Sequence, residues 1–410
     1  MYIRQNCIFS FEDALKLQPK SRLEKIIDSL DFTPVLSKIN KTETTGTKAG
    51  PKPYPPNAML NALIAMRVED IGTFTQLVER LTYDPHLRYI CGFEPFGNAP
   101  SISSFSRFYA RLTESDGLET LFNLLVKKAD EMMLLDFSAV AIDSSKVEAY
   151  EKSVPRKHVV QDGQSADWGI KRDTNGNQVK WFGYKLHIVT DVLSGLPIAI
   201  KVTPANVHDS SVVAELLDLC SPDIHAKVNY YLMDSGYDDH DIYELVRSTY
   251  HGQAIIPLNN RGAKQPKAGF DWDGTPVCSA GYPMIYWGSC NEVNKFRCPH
   301  VLGKYDCPFG SAWCSDSNYG MVVKTKVKDD PRLFSTPHRG TQNWEKLYNM
   351  RTYSERCFSR FKENLGLETG LNVRKIKKVE THAYLCAITM LASAIAVNKV
   401  AKTESLDCIA

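Results

Sequence analysis

The sequence predicts a mixed α/β protein that begins with a helical region. Residues 1–135 show the helical periodicity of apolar side chains and no strand pattern. Residues 136–260 alternate short apolar strands with helices, the order that is typical of an α/β core. Residues 261–339 lose this rhythm and are rich in cysteine, and helical periodicity returns over residues 340–402. We therefore expect a helical domain, an α/β core in two parts, and a cysteine-rich insertion between those parts.

Size and composition are those of an ordinary globular protein. The 410 residues are enough for two or three domains, with 43% hydrophobic and 23% charged residues. Residues 1–17 carry charges and lack an unbroken apolar core, so they do not form a secretory signal. The apolar run over residues 383–397 is shorter than the roughly 20 residues that span a bilayer. We expect this run to be a buried helix.

The helical region divides into several predicted elements. One helix covers residues 21–30, and the Thr-, Gly-, Pro- and Lys-rich residues 41–56 form an exposed loop. The next two predicted helices cover residues 57–67 and 74–81. A further helix is capped by Ser101 or Ser103, and a longer one covers residues 118–133. In the capped helix, Arg107 and Arg111 lie four residues apart, away from the apolar side. This pattern fits either a DNA-binding helix-turn-helix or a plain helical bundle.

Two predicted strands of the core end in an aspartate. Residues 137–143 form an apolar run that closes on Asp143, and residues 229–234 repeat the pattern and close on Asp234. Such an aspartate either caps the following turn or projects a carboxylate from a rigid element into a site. Both acids fall at predicted strand C-termini, where open α/β sheets place their sites.

The remaining core elements follow from local patterns. We predict a loop over residues 151–179 because this stretch is polar and contains several Gly and Asn. The other predicted elements are a hairpin of residues 184–191 and 196–203, helices over residues 210–219 and 240–247, a strand over residues 254–257 and a last helix over residues 379–400. Asp209 is placed to be the N-cap of the helix that follows it, and His208 to support the same turn.

Eleven cysteines without a secretory signal indicate a reducing compartment. Five of them lie in the insertion: Cys278, Cys290, Cys298, Cys307 and Cys314. None of their spacings is the C-x2-C pair of a strong zinc site, so a structural zinc ion and buried thiols both fit. A segment with little apolar periodicity often needs a metal ion in order to fold, which favours zinc.

Residues 348–362 contain no proline or glycine and predict one continuous helix. On such a helix four polar side chains fall within roughly 60° of arc. They are Tyr348, Arg351, Glu355 and Lys362. A carboxylate between two cations fits a site that holds metal ions and a polyanion together. Ordinary i,i+4 ion pairs on a solvated helix face are the alternative.

Positive charge is concentrated near the same stretch. The net charge is only 49 − 47 = +2, which by itself indicates no partner. Residues 346–378, however, carry nine Lys or Arg against three Glu. They include the run Arg374, Lys375, Lys377 and Lys378. This run fits a surface for nucleic acid and equally a solvated helix end.

The spacing Tyr348-x2-Arg351-x3-Glu355-x6-Lys362 resembles the Tyr-Arg-Glu-Lys signature of bacterial insertion-sequence DDE transposases. The blocks around Asp143 and Asp234 also resemble the two aspartate blocks of that family, and residues 98–108 resemble part of its helical N-terminal domain. The resemblance implies a ribonuclease H-like catalytic core, a helical DNA-binding domain before it, and an insertion before the last catalytic carboxylate.

The same resemblance implies a reaction and its residues. Asp143, Asp234 and Glu355 would bind Mg2+ or Mn2+, cut the transposon ends, and join the 3′-hydroxyl to target DNA. The residues expected to contact DNA are Tyr348, Arg351, Lys362, Arg107, Arg111, Arg374, Lys375, Lys377 and Lys378. The implied partners are double-stranded DNA, as inverted-repeat ends and as target, and a second copy of the chain in the synaptic complex. The implied location is the bacterial cytoplasm.

Two other functions remain open at the level of sequence. A non-mobile nuclease on the same core, such as a junction resolvase, would cut DNA without joining it to unrelated DNA. A DNA-binding regulator derived from a transposase would do neither, although all three acids are present. In the insertion, we expect Trp287 and Trp313 to occupy core positions. The alternative is that they stack on a displaced base, as aromatic residues of the insertion do in some relatives.

Overall fold

The computed structural model describes residues 17–41, 53–153, 165–172, 177–260, 262–310, 313–370 and 372–407. The chain forms two compact units. The first comprises Met1–Met132, Glu363–Asn372 and Tyr384–Ala410, and the second comprises Met133–Lys362 and Val373–Ala383. Residues 42–52, which make up most of the predicted loop over residues 41–56, lie outside the described residues.

In the first unit, several helices begin at side chains that satisfy otherwise unpaired backbone N–H groups. Ser21 and Thr73 each form a capping box, and Ser101 caps its helix, as one of the two predicted caps. The helices that the structure describes before the sheet are α1 (Arg22–Ile27), α2 (Thr33–Lys41), α3 (Pro56–Val68), α4 (Phe74–Tyr83), α5 (Pro85–Cys91), α6 (Ile102–Thr113) and α7 (Gly117–Glu131).

Two of these helices were not predicted, and one is shorter than predicted. Helix α1 ends at Ile27, and a new helix, α2, begins at Thr33. The side chain of Asp31 accepts a hydrogen bond from the backbone N–H of Thr33 at this start. Helix α5 starts where Asp84 caps and Pro85 occupies the first helical position. The predicted helices ended at residues 30 and 81, and the apolar pattern did not reveal that another helix starts a few residues after each of them.

The second unit is built on a six-stranded mixed sheet. Its strands are β1 (Ala139–Glu148), β2 (Asp167–Arg172), β3 (Gln178–Asp191), β4 (Pro197–Pro204), β5 (Tyr230–Leu232) and β6 (Gln253–Ile255). Strand β3 pairs antiparallel with β1 on one side and with β2 and β4 on the other. Strands β1, β5 and β6 are parallel neighbours. The predicted hairpin is confirmed as the β3–β4 pair.

One strand prediction and one loop prediction were wrong in extent. Strand β1 does not end at Asp143 but continues to Glu148, because it pairs with β3 over its whole length. Its parallel pairing with β5 covers only residues 139–141, so Asp143 lies just beyond the end of that pairing. The predicted loop over residues 151–179 contains β2, which pairs with the first half of β3. Residues 154–164 and 173–176 of that loop lie outside the described residues.

Helices cover the sheet and close the second unit. They are α8 (Val213–Asp218), α9 (Pro222–His225), α10 (His240–Ser248), α11 (Gln342–Asn349), α12 (Thr352–Ser359) and α13 (Ile376–Asp407), of which α13 continues into the first unit. Trp344 of α11 packs with Ala139, Ala141 and Leu232 in one buried cluster on a face of the sheet. Within α13, residues 376–399 are apolar and long enough to cross a membrane, but 83% of their most apolar window is buried. This burial is that of a core helix, as predicted.

The insertion contains a small sheet that the sequence did not reveal. Three antiparallel strands form it: β7 (Ile285–Cys290), β8 (Val293–Arg297) and β9 (Val322–Lys326). Only one face is buried, where Asn294 and Phe296 are inaccessible to solvent. The strands are short and one of the buried positions is polar, so they lack the apolar pattern by which strands are predicted.

The predicted continuous helix over residues 348–362 is interrupted. Helix α11 ends at Asn349, α12 begins at Thr352, and a π-helical turn covers Arg360–Asn364. A turn connects the first two, in which the Arg351 N–H donates to the Tyr348 carbonyl. The four polar side chains of this stretch therefore do not lie on one face of a single α-helix. Both the break and the wider π turn change the direction of the side chains that follow them.

Candidate active site

Asp143 is a buried carboxylate on the covered face of the sheet. Side chains alternate along a strand, so Asp143 points to the same side as Ala139 and Ala141, under the C-terminal helices. Its Oδ2 accepts hydrogen bonds from Ser354 Oγ at 3.0 Å and Arg351 Nη1 at 3.1 Å. These bonds satisfy a carboxylate that is only 9% exposed.

The pKa of Asp143 is raised above its usual range. Burial is the main cause, and the neighbouring carboxylate of Asp234 acts in the same direction. The guanidinium of Arg351 acts in the opposite direction but does not cancel burial. A buried acid whose pKa is raised by a second carboxylate favours binding of a cation between the two.

Asp234 follows β5 and reaches the same end of the sheet, because β1 and β5 are parallel. Its side chain caps the 3-10 turn Ser235–Tyr237 by accepting a hydrogen bond from the Gly236 N–H at 2.8 Å. A Cβ at Gly236 would lie 2.9 Å from Asp234 Oδ1, so any other residue would force this oxygen to move from its present position. The two roles expected of a strand-end aspartate are thus compatible here, since the carboxylate caps the turn and also lies near Asp143.

Glu355 is connected to the first aspartate through Arg351. The guanidinium donates from Nη2 to Glu355 Oε1 at 2.8 Å while its Nη1 bonds Asp143. The Glu355 side chain is 59% exposed, whereas that of Arg351 is 17% exposed. Within the described residues, no group of three or more His, Cys, Asp or Glu side chains is close enough to hold a metal ion. The convergence of Asp143, Asp234 and Glu355 on metal ions therefore stays a prediction.

Asp209 is a fourth acid beside this cluster, and its predicted role as an N-cap was wrong. His208 caps the 3-10 turn Asp209–Val212 instead. The Asp209 carboxylate accepts hydrogen bonds from Lys185 Nζ at 2.8 Å and Ser144 Oγ at 3.0 Å. Burial acts to raise the pKa of Asp209, but the Lys185 ammonium holds it below its usual range. Asp209 is therefore a paired anion next to the strand that carries Asp143.

Tyr237 places a buried hydroxyl among these acids. Its side chain is 1% exposed, and its hydroxyl, although close to Ser144, makes no well-formed hydrogen bond within the described part of the chain. Burial and the carboxylates of Asp209, Asp143 and Asp234 raise the pKa of Tyr237 well above its usual range. The phenol is thus neutral and faces three carboxylates.

The other predicted DNA-contacting residues are distributed more widely. Tyr348 stacks on Trp344 with ring centroids 5.1 Å apart and packs against the core cluster. Lys362 lies half-buried in the π-helical turn. In the first unit, Arg107 is exposed on α6 and Arg111 lies over the Phe108 ring.

The basic run lies at the start of α13. Arg374, Lys375 and Lys377 are exposed, and Lys378 is half-buried. Arg374 lies over the Tyr150 ring at 5.6 Å. No acidic residue lies in the first turn of α13. Cations at a helix N-terminus are opposed by the helix dipole, so this end of α13 is better suited to an anionic partner.

The five insertion cysteines do not form a three-ligand site. Cys298 is buried and Cys290 is exposed, while Cys278, Cys307 and Cys314 are intermediate. In the described part of the chain they join no cluster of three metal-binding side chains. Trp287 and Trp313 are each 53% exposed, so the core positions predicted for them were wrong. Trp287 stacks on Arg297, and Trp313 stacks on Phe309.

Sequence reasoning missed four side chains of this site: Ser354, Lys185, Asp209 and Tyr237. Ser354 lies one residue before Glu355, and Tyr237 lies three residues after Asp234, so both were close to residues already singled out. Lys185 lies on β3 opposite Lys146 of β1, and only this pairing of distant strands brings Lys185 and Ser144 to the same carboxylate, that of Asp209.

Comparison with known families places this site in context. A family described as "Transposase DDE domain" matches residues 135–392, and one described as "Transposase domain (DUF772)" matches residues 11–111. The first match covers more than half of the chain and includes Asp143, Asp234 and Glu355. The chain belongs to the DDE transposase family. This transposase is therefore a DNA-transposing enzyme of the insertion-sequence type, as the resemblance implied.

Solved structures and curated proteins show less similarity to this transposase than the family models do. A cryo-EM structure of the piggyBac transposase synaptic complex with hairpin DNA is similar at 10% identity, over 90% of this chain and 80% of that chain. Its TM-score is 0.31, which is too low to define a shared fold. A comparison with curated proteins gave no significant match.

Proposed function

We propose that this transposase cuts the DNA ends of its mobile element by metal-assisted hydrolysis and joins each freed 3′-hydroxyl to target DNA. The observation that carries the proposal is the meeting of Asp143 and Asp234 beyond the parallel β1–β5 pair, with Glu355 bonded to the same guanidinium as Asp143. Three acids from distant parts of the chain are the minimum that two hard cations need.

The sheet order supports a ribonuclease H-like core. Three antiparallel strands, β4, β3 and β1, are followed by two strands, β5 and β6, that run parallel to β1. Asp143 lies within β1 just beyond its parallel pairing with β5, Asp234 follows β5, and Glu355 lies in the late helix α12. The insertion over residues 261–339 lies between the second and the third acid.

The donor set fits Mg2+ or Mn2+. Members of the DDE transposase family use divalent metal ions, and carboxylate oxygens are the ligands that these hard cations prefer. Asp143 and Asp234 would share one ion, and Glu355 would complete a second. When bound, the ions activate the attacking oxygen and stabilise the leaving oxygen. A zinc ion in the insertion receives no support from the cysteine positions, and metal analysis of the purified protein would test it.

The surrounding side chains orient these acids and neutralise phosphate charge. Ser354 fixes one oxygen of Asp143 by a hydrogen bond. The Arg351 guanidinium lies between Asp143 and Glu355 and bonds both. One of these two hydrogen bonds must break before both carboxylates can bind the same pair of ions. A guanidinium released in this way is suited to bind a DNA phosphate next to the bond that is cut. Lys362 and Tyr348 would assist at neighbouring phosphates.

The DNA partner is double-stranded, first as the ends of the element and then as target. The exposed Arg374, Lys375 and Lys377 would contact its backbone, and Arg107 of the first unit would contact the end sequence. Bringing two ends together requires two active sites, which favours a homodimer in the complex. The enzyme would act in the bacterial cytoplasm, where this DNA lies.

Cleavage and joining assays on labelled end DNA test the proposal. Asp143→Asn, Asp234→Asn and Glu355→Gln should each abolish Mg2+-dependent cleavage while end-DNA binding remains, because each removes a charged ligand and keeps the shape of the side chain. Glu363→Gln is the matched control, because Glu363 is an exposed acid in the π-helical turn after α12. Near-normal cleavage by any one of the three variants would exclude that residue. Cutting without joining would favour a nuclease.

A further inference from the structure

The outer face of the insertion sheet is basic. Alternation along β8 and β9 places four cations on the side opposite the buried Phe296. We call them the basic stripe: Lys295, Arg297, Lys324 and Lys326. The three lysines are exposed. The sequences of β7, β8 and β9 contain no aspartate or glutamate.

Within the stripe, like charges directly oppose each other. The register of β8 and β9 pairs Lys295 with Lys324. Such a cross-strand pair destabilises a sheet, since the two side chains are close and repel each other. In the part of the chain that the structure describes, no acidic side chain forms a salt bridge with Lys295, Lys324 or Lys326. The local charge is therefore unbalanced and favours an anion from outside the protein.

The fourth cation is held in place by aromatic rings. The Arg297 guanidinium lies 4.4 Å from the centroid of the Trp287 ring and 5.1 Å from that of Tyr319. Both rings are more than half exposed, so they order Arg297 at the surface instead of burying it. An ordered guanidinium presents a rigid set of donors that matches phosphate oxygens.

The length of the stripe matches a nucleic-acid backbone. Arg297 pairs with Val322, and Lys326 pairs with Val293, so the cations extend over five residues of β8, which is four steps along the strand. At about 3.4 Å per residue, this length is about 14 Å. One strand of DNA carries a phosphate every 3.4 Å or so along the helix axis, so the stripe spans about four phosphates.

We propose that the basic stripe binds the phosphate backbone of double-stranded DNA without reading its sequence. The proposal rests on the proposed function only in taking DNA as the partner. Single-stranded DNA is bound by aromatic faces that stack on bases, but here Arg297 lies against the rings of both Trp287 and Tyr319. In this assignment Trp287 acts by holding Arg297, and not as a platform for a base.

The test is the salt dependence of DNA binding by the full chain. Fluorescence anisotropy with a duplex of unrelated sequence, in EDTA, gives the slope of log affinity against log salt. Each phosphate contact contributes about 0.9 to this slope, so Lys295→Gln with Lys324→Gln should reduce it by about 1.8. Lys264→Gln with Lys304→Gln is the control, because it removes the same charge from exposed positions of the insertion outside the three strands. The control should lower the slope much less.

Equal slopes for the two double variants would overturn the proposal, as would a loss that appears with single-stranded DNA and not with duplex. If the double variant does not fold, Lys295→Gln alone should reduce the slope by about 0.9. Trp287→Phe should retain the slope of the unchanged protein, and Trp287→Ala should lose about as much as Arg297→Gln. Because binding is measured without metal ions, failure of cleavage would count against the proposed function and leave this assignment intact.

Discussion

Arg351 joins two of the three acids, so replacing it with glutamine should destabilise the ion-free protein by about 3.5 kcal/mol. Its bond to the 59%-exposed Glu355 is an i,i+4 surface pair worth about 0.3–0.5 kcal/mol. Its bond to Asp143 joins two groups with side-chain exposures of 17% and 12%. Breaking a buried pair costs about 3–5 kcal/mol, and the lower end applies because the Ser354 hydroxyl still bonds Asp143.

Thermal unfolding in a chelator measures this loss. One kcal/mol lowers the melting temperature of a unit of this size by about 2–4 °C, so Arg351→Gln should lower it by about 7–14 °C. Arg356→Gln is the matched control, since Arg356 is an exposed arginine of α12, the helix that starts directly after Arg351, and its guanidinium lies over the Tyr353 ring. It should change the melting temperature much less. Saturating Mg2+ should reduce the deficit of Arg351→Gln, because an ion would neutralise the carboxylates that Arg351 neutralises now.

A double-mutant cycle isolates the pair. In an Asp143→Asn background, Arg351→Gln should cost only about 0.5 kcal/mol, because no buried charge is left without a partner. A cost of about 3 kcal/mol in both backgrounds would refute the reasoning, since the loss would then come from packing. A cost below about 1 kcal/mol in the unchanged protein would show that the bridge is not formed.

The pH dependence gives a second check. Burial raises the folded-state pKa of Asp143, and loss of Arg351 removes the group that opposes this rise. As the pH increases, the unfolded chain loses this proton first, so stability falls between the ordinary aspartate pKa and the raised folded-state pKa. The deficit of Arg351→Gln should therefore shrink as the pH is lowered through that window.

Three further predictions concern other parts of the second unit. Tyr237→Phe should stabilise the ion-free protein by about 1 kcal/mol in denaturant unfolding, because it removes a buried hydroxyl that makes no well-formed hydrogen bond; a loss of stability would reveal a hydrogen bond to the neighbouring Ser144. Burial lowers the pKa of His338 to about 4 in the folded state, whereas the unfolded chain takes up this proton near pH 6.5. The free energy of unfolding therefore falls by about 3 kcal/mol as the pH is lowered from 6.5 to 4. His338→Gln should make the unfolding free energy less dependent on pH in that range, and an unchanged dependence would contradict the low pKa. Lys324→Glu, opposite Lys295, should raise the unfolding free energy by about 0.2–1 kcal/mol while weakening DNA binding; weaker binding without added stability would contradict the like-charge repulsion.

Several features of the fold were determined by local sequence. The preference for serine as a helix cap predicted the helix start at Ser101, apolar runs located the strand that contains Asp143 and the one that precedes Asp234, and two adjoining apolar runs predicted the β3–β4 hairpin. These signals are local because hydrogen bonds within a turn and burial along one element involve residues close in sequence. The Tyr348–Lys362 signature, whose four positions lie within fifteen residues, likewise identified Glu355 as a candidate metal ligand.

Only the tertiary structure decided how these residues meet. The sequence pattern predicted one helix over residues 348–362, but the break before Thr352 turns Arg351 toward Asp143, more than two hundred residues earlier. It also predicted that Asp209 is a cap, whereas the neighbouring strands bring Lys185 and Ser144 to its carboxylate. Ion pairs and the burial of charge depend on strands and helices that are distant along the chain. Local patterns therefore identified the candidate acids of this transposase, and packing alone determined which cations and hydroxyls they contact.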